Sequence, residues 1–374
     1  MRHVYVHVPF CARRCSYCDF SIAVRKTIPA DAYVECIRRE YAGLRANNGD
    51  RPIDASPLET LYFGGGTPSL VAPDAIEQLV QLLVDVASPE ITLEANPDDV
   101  TAPAAAQWRA AGINRISLGA QSFHDHVLRW MHRTHDAAQI ARSVRILRDA
   151  GFVNVSLDLI FALPQELERD WDRDLRGALA LSPDHISLYG LTVEPRTPLA
   201  RWIDRGVSSL PDDDRYAAEY LRAHARLGDA GYQFYEVSNA SRGTDTRSRH
   251  NSAYWLGHPY LGLGPAAHSF DGRRRSWNAS AWESYRALVV SGHPPVESEE
   301  ILTGDERELE CLYLALRTAD GLSIARDRSL PAVTAVFEER GWLERTQDRL
   351  RCTPEGWLRL DALVQALTGV GAVS

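Results

Sequence analysis

Short apolar runs of β-type alternate with amphipathic helical stretches along most of the chain. The β-type runs cover residues 4–8, 60–63, 91–95, 115–118, 153–161, 185–189 and 233–237. Between them, apolar residues recur at the helical period over 31–45, 73–86, 103–111, 137–150, 168–181 and 212–230. Several of these stretches open on Pro or Asp, and Gly151 and Gly231 stand where helices stop. Alternation of this kind predicts βα units and a parallel sheet. Six or seven units are too few for a closed eight-unit barrel, so the expected fold class is α/β with an open, partial (β/α)6 barrel.

The polar signatures cluster at the C-terminal ends of the predicted strands: residues 11–18, 64–67, 94–97, 119–122, Asp158, 192–194 and 236–239. In parallel α/β folds ligands bind along that rim, so seven segments would converge on one cavity. The alternation stops near residue 295. Helices are expected over 305–317, 329–340 and 354–367 around a short β pair at 342–344 and 349–352, a small helical, winged-helix-like domain. The expected division is 1–295 and 296–374 within 374 residues, with the second unit a packing or lid module.

A formal charge of −9 argues against broad nucleic-acid binding, since phosphate-tracking surfaces are basic. No apolar run approaches the roughly 20 residues of a membrane span, and the first residues enter a strand pattern rather than an apolar leader, so a cytoplasmic protein is the expectation. Of six cysteines, three fall within residues 11–18, while Cys36, Cys311 and Cys352 are scattered and read as unpaired thiols.

Cys11, Cys15 and Cys18 follow a CxxxCxxC spacing in the loop after the first strand. Iron–sulfur clusters are held by cysteine thiolates, and three ligands for four irons leave one iron open. A structural zinc site is the alternative. It would need a fourth ligand and normally shows paired CxxC spacing. CxxxCxxC in this place resembles the radical SAM superfamily. Tyr5-Val6-His7-Val8-Pro9-Phe10-Cys11, residues 62–69, 94–97 and 117–123 are similar to the oxygen-independent coproporphyrinogen III dehydrogenase group.

The resemblance implies a radical SAM barrel with a [4Fe-4S] cluster on Cys11, Cys15 and Cys18, and S-adenosyl-L-methionine (SAM) held by Gly65, Gly66, Thr67, Glu94, Tyr5, Tyr17, Gln121, Arg133, Asp158 and, more loosely, Thr192. Carboxylates suit ribose hydroxyls and Arg133 suits a carboxylate. Asp158, inside an apolar run, must have a partner, because an unpaired carboxylate in a buried strand is costly. In such proteins the reduced cluster cleaves SAM, with the protein supplying orientation and exclusion of water.

Two features separate subgroups. The dehydrogenases carry a further cysteine two residues after the third cluster ligand, where this chain has Phe20. His250-Asn251-Ser252-Ala253-Tyr254-Trp255 resembles the HNxxYW signature of HemW-type haem chaperones. That resemblance implies haem b with His250 as ligand, Tyr254 and Trp255 stacking on the porphyrin, and Arg242, Arg247 and Arg249 pairing with propionates. The reading from residue chemistry alone is a loop histidine and a solvated basic face. Residues 260–269 read as a glycine-rich turn with a buried His268, and Phe161-Ala162-Leu163-Pro164 replaces the family's glycine-rich form after the Asp158 strand.

The resemblance further implies delivery of haem to acceptor haem proteins of the respiratory chain, with peripheral membrane association and a homodimer as expectations. Coproporphyrinogen dehydrogenase is the second reading, so whether the chain is an enzyme stays open. A nucleic-acid-modifying radical SAM enzyme is the third, disfavoured by the charge.

Overall fold

The computed structural model describes residues 2–46, 57–85, 89–209, 212–324 and 332–369. Position 86 of one predicted helix and positions 329–331 of another lie outside them. The main sheet has nine strands in the order Leu261–Leu263, His3–Val8, Thr60–Gly65, Glu90–Ala95, Arg115–Gln121, Asn154–Phe161, His185–Gly190, Asn239–Ser241 and Gln233–Glu236. The first seven run parallel, Asn239–Ser241 runs antiparallel to both of its neighbours, and Gln233–Glu236 beyond it points the same way as the first seven. The strand order is open at both ends among the described residues. This is the expected α/β class, a parallel barrel that does not close.

Alternation makes each parallel strand two-faced. Val4, Val6 and Val8 join the apolar core under the helices. His3, Tyr5 and His7 project to the other side, where they meet Thr60, Tyr62 and the Ser21 carbonyl. The helix Pro73–Leu83 shows the complementary logic: Pro73 opens it, and Ala75, Ile76, Leu79, Val80 and Leu83 form its buried stripe. Fully burying each of the larger aliphatic side chains contributes about 1.5–3 kcal/mol.

Two elements differ from expectation. Residues 233–236 do not extend the parallel sheet. They form the outer arm of a hairpin with Asn239–Ser241, because only Val237 and Ser238 separate the two, far too few for a parallel crossover. The segment read as a glycine-rich turn contains the strand Leu261–Leu263, parallel to His3–Val8, and the strand His268–Phe270, which lies at the edge of a three-stranded sheet with Arg274–Asn278 and Val296–Ile301. His268 is exposed rather than buried, because an edge strand leaves one flank uncovered.

The C-terminal part contains helices Gly304–Arg317, Val333–Glu339, Pro354–Trp357 and Leu360–Thr368 and an antiparallel sheet of Leu322–Ser323, Arg349–Cys352 and Leu343–Arg345. The strand Val296–Ile301 pairs with Arg274–Asn278, so hydrogen bonds cross position 295. The helix Gly304–Arg317 opens on a reciprocal cap: the Thr303 hydroxyl accepts from the Glu306 N–H at 3.3 Å, and the Glu306 carboxylate accepts from the Thr303 N–H at 2.8 Å. Thr303→Ala should therefore lower unfolding stability by about 1 kcal/mol in denaturant titration; an unchanged midpoint would show that the cap is not needed.

Candidate cluster and cofactor site

The cysteine loop is closed at its base and fastened at its sides. Phe10–Cys11 pairs with Ala23–Val24, so the segment between leaves and re-enters at one place. The Ala23 N–H donates to the Pro9 carbonyl at 2.7 Å and the Arg25 N–H to that of Cys11 at 3.0 Å. Across the loop, the Ser16 N–H donates to the Met131 carbonyl at 3.2 Å and the Ser16 carbonyl accepts from the Leu199 N–H at 2.9 Å. The end of Thr60–Gly65 supplies the third attachment: Gly66 N–H to the Val8 carbonyl at 2.7 Å and Thr67 N–H to that of Phe10 at 2.8 Å. Only glycine permits this approach. A Cβ on Gly66 would lie 2.7 Å from the Phe10 carbonyl oxygen and 3.0 Å from Cys11 Sγ, and Gly65 has φ +109°.

All three cysteines line a cavity of about 390 Å³ at the C-terminal rim of the sheet. The other lining residues include Tyr17, Gly65, Gly66, Thr67, Glu94, Gln121, Arg133, Asp158 and Thr192, so these sequence candidates come together. Cys11 is buried, and burial raises its pKa against a 3.4 Å hydrogen bond donated by Thr67 Oγ1. Burial likewise pushes the pKa of Cys18 up to about 11. Arg133 Nη1 lies 3.8 Å from Cys15 Sγ. Among the described residues, no group of three His, Cys, Asp or Glu side chains is arranged to hold a single metal ion. Three thiols spread around a cavity, beside cationic Arg133 and without a fourth side-chain ligand, suit a multi-iron cluster better than one zinc ion.

The two carboxylates occupy inward positions on the two strands that flank Arg115–Gln121. Glu94 accepts the Tyr62 hydroxyl at 2.9 Å and the Gly65 N–H at 3.1 Å, yet burial still raises its pKa to about 7. Asp158 accepts the Ser117 hydroxyl at 3.0 and 3.1 Å, which supplies the partner its buried position demands. Burial again raises its pKa. Arg133 is held by Asn96 Oδ1 at 2.5 Å and the Gly119 carbonyl at 3.0 Å. Gln121 takes a positive φ of 65° at the end of its strand. A sulfonium, two ribose hydroxyls and an amino acid carboxylate would all find complementary groups here.

Tyr5 is placed elsewhere. Its ring stacks on Tyr62 at 6.0 Å and on His250 at 6.3 Å, and it lines a second cavity with Tyr254 and Trp255. His250 lies in the helix Arg249–Trp255 and is 1% exposed. Its Nδ1 is 2.7 Å from Thr60 Oγ1 and its Nε2 is 2.8 Å from the Tyr254 hydroxyl. Thr60 continues to His3 Nδ1 at 3.0 Å, and burial lowers the His250 pKa to about 3. Both ring nitrogens are therefore engaged inside the barrel. Of the predicted propionate partners, Arg242 covers the Tyr232 ring at 5.2 Å, Arg247 covers Tyr235 at 5.4 Å, and Arg249 lies 4.0 Å from Glu59. None of the three lines either cavity.

Residues not singled out from sequence also shape the cluster cavity: Ser117, His132 and Tyr189. Ser117 and Tyr189 could have been found by period-two counting, since Ser117, Gly119 and Gln121 alternate along one strand and Tyr189 follows Ser187 on another. His132 carried no such signal, because its position depends on a turn with φ 60°.

A profile of the radical SAM superfamily matches residues 5–177. The chain is 37% identical over 375 residues to the heme chaperone HemW of Mycobacterium tuberculosis, covering 98% of this chain and 94% of that protein. It is 30% identical over 384 residues to the heme chaperone HemW of Bacillus subtilis, covering 99% and 100%. In three dimensions it resembles the Escherichia coli radical SAM enzyme coproporphyrinogen III oxidase, HemN, with a TM-score of 0.80 at 22% identity over 98% of this chain and 89% of that one, a likeness of fold.

Because the thiolate is the reactive form, Cys11 and Cys18 in metal-free protein should alkylate more slowly at about pH 8 than the exposed Cys311, with rates that climb as pH rises. Mass spectrometry of timed samples checks this, and equal rates would contradict the burial argument. Gly66→Ala should lower iron uptake during reconstitution while leaving helix content unchanged by circular dichroism.

Proposed function

Since this chain belongs to the radical SAM superfamily and, within it, to the HemW haem chaperone family, we propose that it is a haem chaperone that carries a [4Fe-4S] cluster on Cys11, Cys15 and Cys18, binds SAM beside it, and holds haem b for delivery to respiratory haem proteins. The observation that carries the cofactor part is the convergence of three thiols, two half-buried carboxylates and Arg133 on one rim cavity. The haem part rests on near full-length similarity to proteins named for that role.

In this reading residues 1–295 carry the cofactor chemistry, and residues 296–374 form a packing or lid module. The protein works in the cytoplasm as a homodimer and meets its acceptors at the membrane surface. Among the described residues no helix is long and apolar enough to cross a membrane. When bound on Cys11, Cys15 and Cys18, the cluster would supply the electron that cleaves SAM. The chain's own groups do the rest: Glu94 accepts ribose hydroxyls, Arg133 steadies the Cys15 side of the loop, and Gly65 and Gly66 admit the ligand close to the backbone. Phe20, exposed at the cavity wall, stands where the resemblance places a cysteine in the dehydrogenases, which favours the chaperone over the decarboxylase.

Anaerobic reconstitution should load about four irons per chain, and alanine at Cys11, Cys15 or Cys18 should abolish the cluster absorbance; full iron retention would refute the ligand assignment. Calorimetric SAM affinity should fall as pH drops from about 8 to about 6, because Glu94 protonates and loses acceptor capacity. Glu94→Gln should weaken binding and flatten that dependence; an unaltered pH profile would remove Glu94 from the site. The reconstituted protein should leave coproporphyrinogen III unconverted, and protoporphyrinogen formation would restore the enzyme reading.

A further inference from the structure

Two strand ends that wall the cluster cavity are tied to one buried ionic network outside it. The strand Arg115–Gln121 contributes Ser117, Gly119 and Gln121 to the lining, and Asn154–Phe161 contributes Asp158 and Ile160. Their ladder does not run regularly to the rim, because the register shifts between Leu118 and Gln121. Each strand also ends at a non-glycine residue with left-handed backbone, Gln121 at φ 65° and Ala162 at φ 56°. Such conformations persist only where the surroundings over-determine them. Pairing between the two strands therefore does not by itself fix where Gln121 sits.

The helices Trp171–Ala180 and Asp213–Asp229 supply what the ladder lacks. Asp174, on the first, accepts the Ser122 hydroxyl at 3.0 and 3.1 Å and the Phe123 N–H, from the two residues that follow Gln121. The Phe123 ring lies so near that helix that a Cβ on Gly177 would meet it at 2.6 Å. Glu219, on the second helix, accepts the Ala162 N–H at 2.7 Å, and Arg215 donates to its other oxygen at 3.0 Å. Arg169 joins the two carboxylates, with Nη1 donating to Asp174 at 3.3 Å and Nη2 to Glu219 at 2.6 Å. Its guanidinium lies 4.6 Å from the Trp171 ring centre, and the Trp171 indole N–H donates to the Glu219 carbonyl at 2.9 Å. Neither Arg169 nor Asp174 exposes any of its side chain, and none of the three charged residues lines the cluster cavity. Removing one member of a buried pair strands the other charge, so the network holds a single geometry.

Resting on the reading of the rim cavity as the SAM site, we propose that Asp174, Arg169 and Glu219 are positioning residues for SAM: one planar guanidinium spans two carboxylates and so sets the end of the Gln121 strand against the end of the Asp158 strand. A lysine ammonium is a point charge and does not span both. The part played by Glu219 is local. Phe161-Ala162-Leu163-Pro164 stands in place of the family's glycine-rich form, and the carboxylate holds at Ala162 the left-handed turn that glycine adopts freely.

The test uses the full chain, reconstituted anaerobically, and reads SAM affinity by calorimetry, the shift that SAM induces in the electron paramagnetic resonance of the reduced cluster, iron content and unfolding midpoint. Arg169→Lys should keep its iron yet weaken SAM binding by roughly 10–100-fold, the scale on which losing a residue that orients a ligand acts at a metal site, and the SAM-induced shift should diminish. Ser122→Ala removes one donor to Asp174 and leaves both ion pairs. It should show the same loss to a smaller degree, and it carries the test if Arg169→Lys does not fold. Glu219→Ala should also weaken SAM binding, and adding Ala162→Gly should recover part of that loss, because glycine takes the turn unaided. Wild-type SAM affinity in Arg169→Lys and Ser122→Ala, with only the unfolding midpoint lowered, would overturn the proposal, as would a Glu219→Ala defect that Ala162→Gly leaves untouched. Absence of SAM binding by the wild-type chain would refute the SAM reading itself, whereas binding that the variants retain refutes only the positioning role.

Discussion

The contact of Gly66 with the segment Pro9 to Cys11 is the constraint on which the site depends. It sets the cysteine loop against the end of the neighbouring parallel strand, with a carbonyl where any side chain would collide. Everything downstream inherits that position. Thr67 reaches Cys11 because the strand end is drawn against the loop, and the Gly65 N–H is left pointing at Glu94. The parallel sheet then does what such sheets do generally, bringing the ends of many strands to one rim.

The rim carries charged groups that are partly withdrawn from water. Glu94 and Asp158 are both raised by desolvation, and each is answered by hydroxyl or amide donors rather than by an ion pair. Neutral donors leave a carboxylate with residual acceptor capacity, whereas a bidentate guanidinium would consume it. Arg133 is correspondingly kept on amide and carbonyl oxygens and beside Cys15. Acceptors therefore remain free for a cationic, hydroxylated ligand.

Much of this was legible in the sequence. Period-two and helical repeats predict the parallel strands and their helices, and CxxxCxxC with the downstream motifs predicts which residues meet at the rim. The failures have physical causes. The hairpin at Gln233–Ser241 reads as a strand, but its direction follows from a two-residue link that apolar counting ignores. Leu261–Leu263 is too short to alternate. Ala162, within the segment that replaces the family's glycine-rich form, takes φ 56° with its N–H donated to Glu219 at 2.7 Å, a left-handed turn that alanine does not advertise. His250 is the instructive case: a motif identifies the residue, whereas the partners at positions 3, 60 and 254 decide what its nitrogens can do.

Those partners form a chain with only two internally consistent orders of protons. The single hydroxyl proton of Thr60 sits between His3 Nδ1 and His250 Nδ1, so it is given to one and the other must be its donor. Among the described residues His3 Nε2 is buried without a partner, and an orphaned N–H is the rarer and costlier state. The favoured order therefore leaves that nitrogen bare, runs from His3 through Thr60 to His250, and ends with His250 Nε2–H donated to the Tyr254 oxygen. The Tyr254 hydroxyl hydrogen is then released from the chain. A proton added at His3 Nε2 would lock this order, and a change of tautomer there would reverse every bond as far as Tyr254, making the third residue of the chain a remote determinant of what the second cavity's wall can donate.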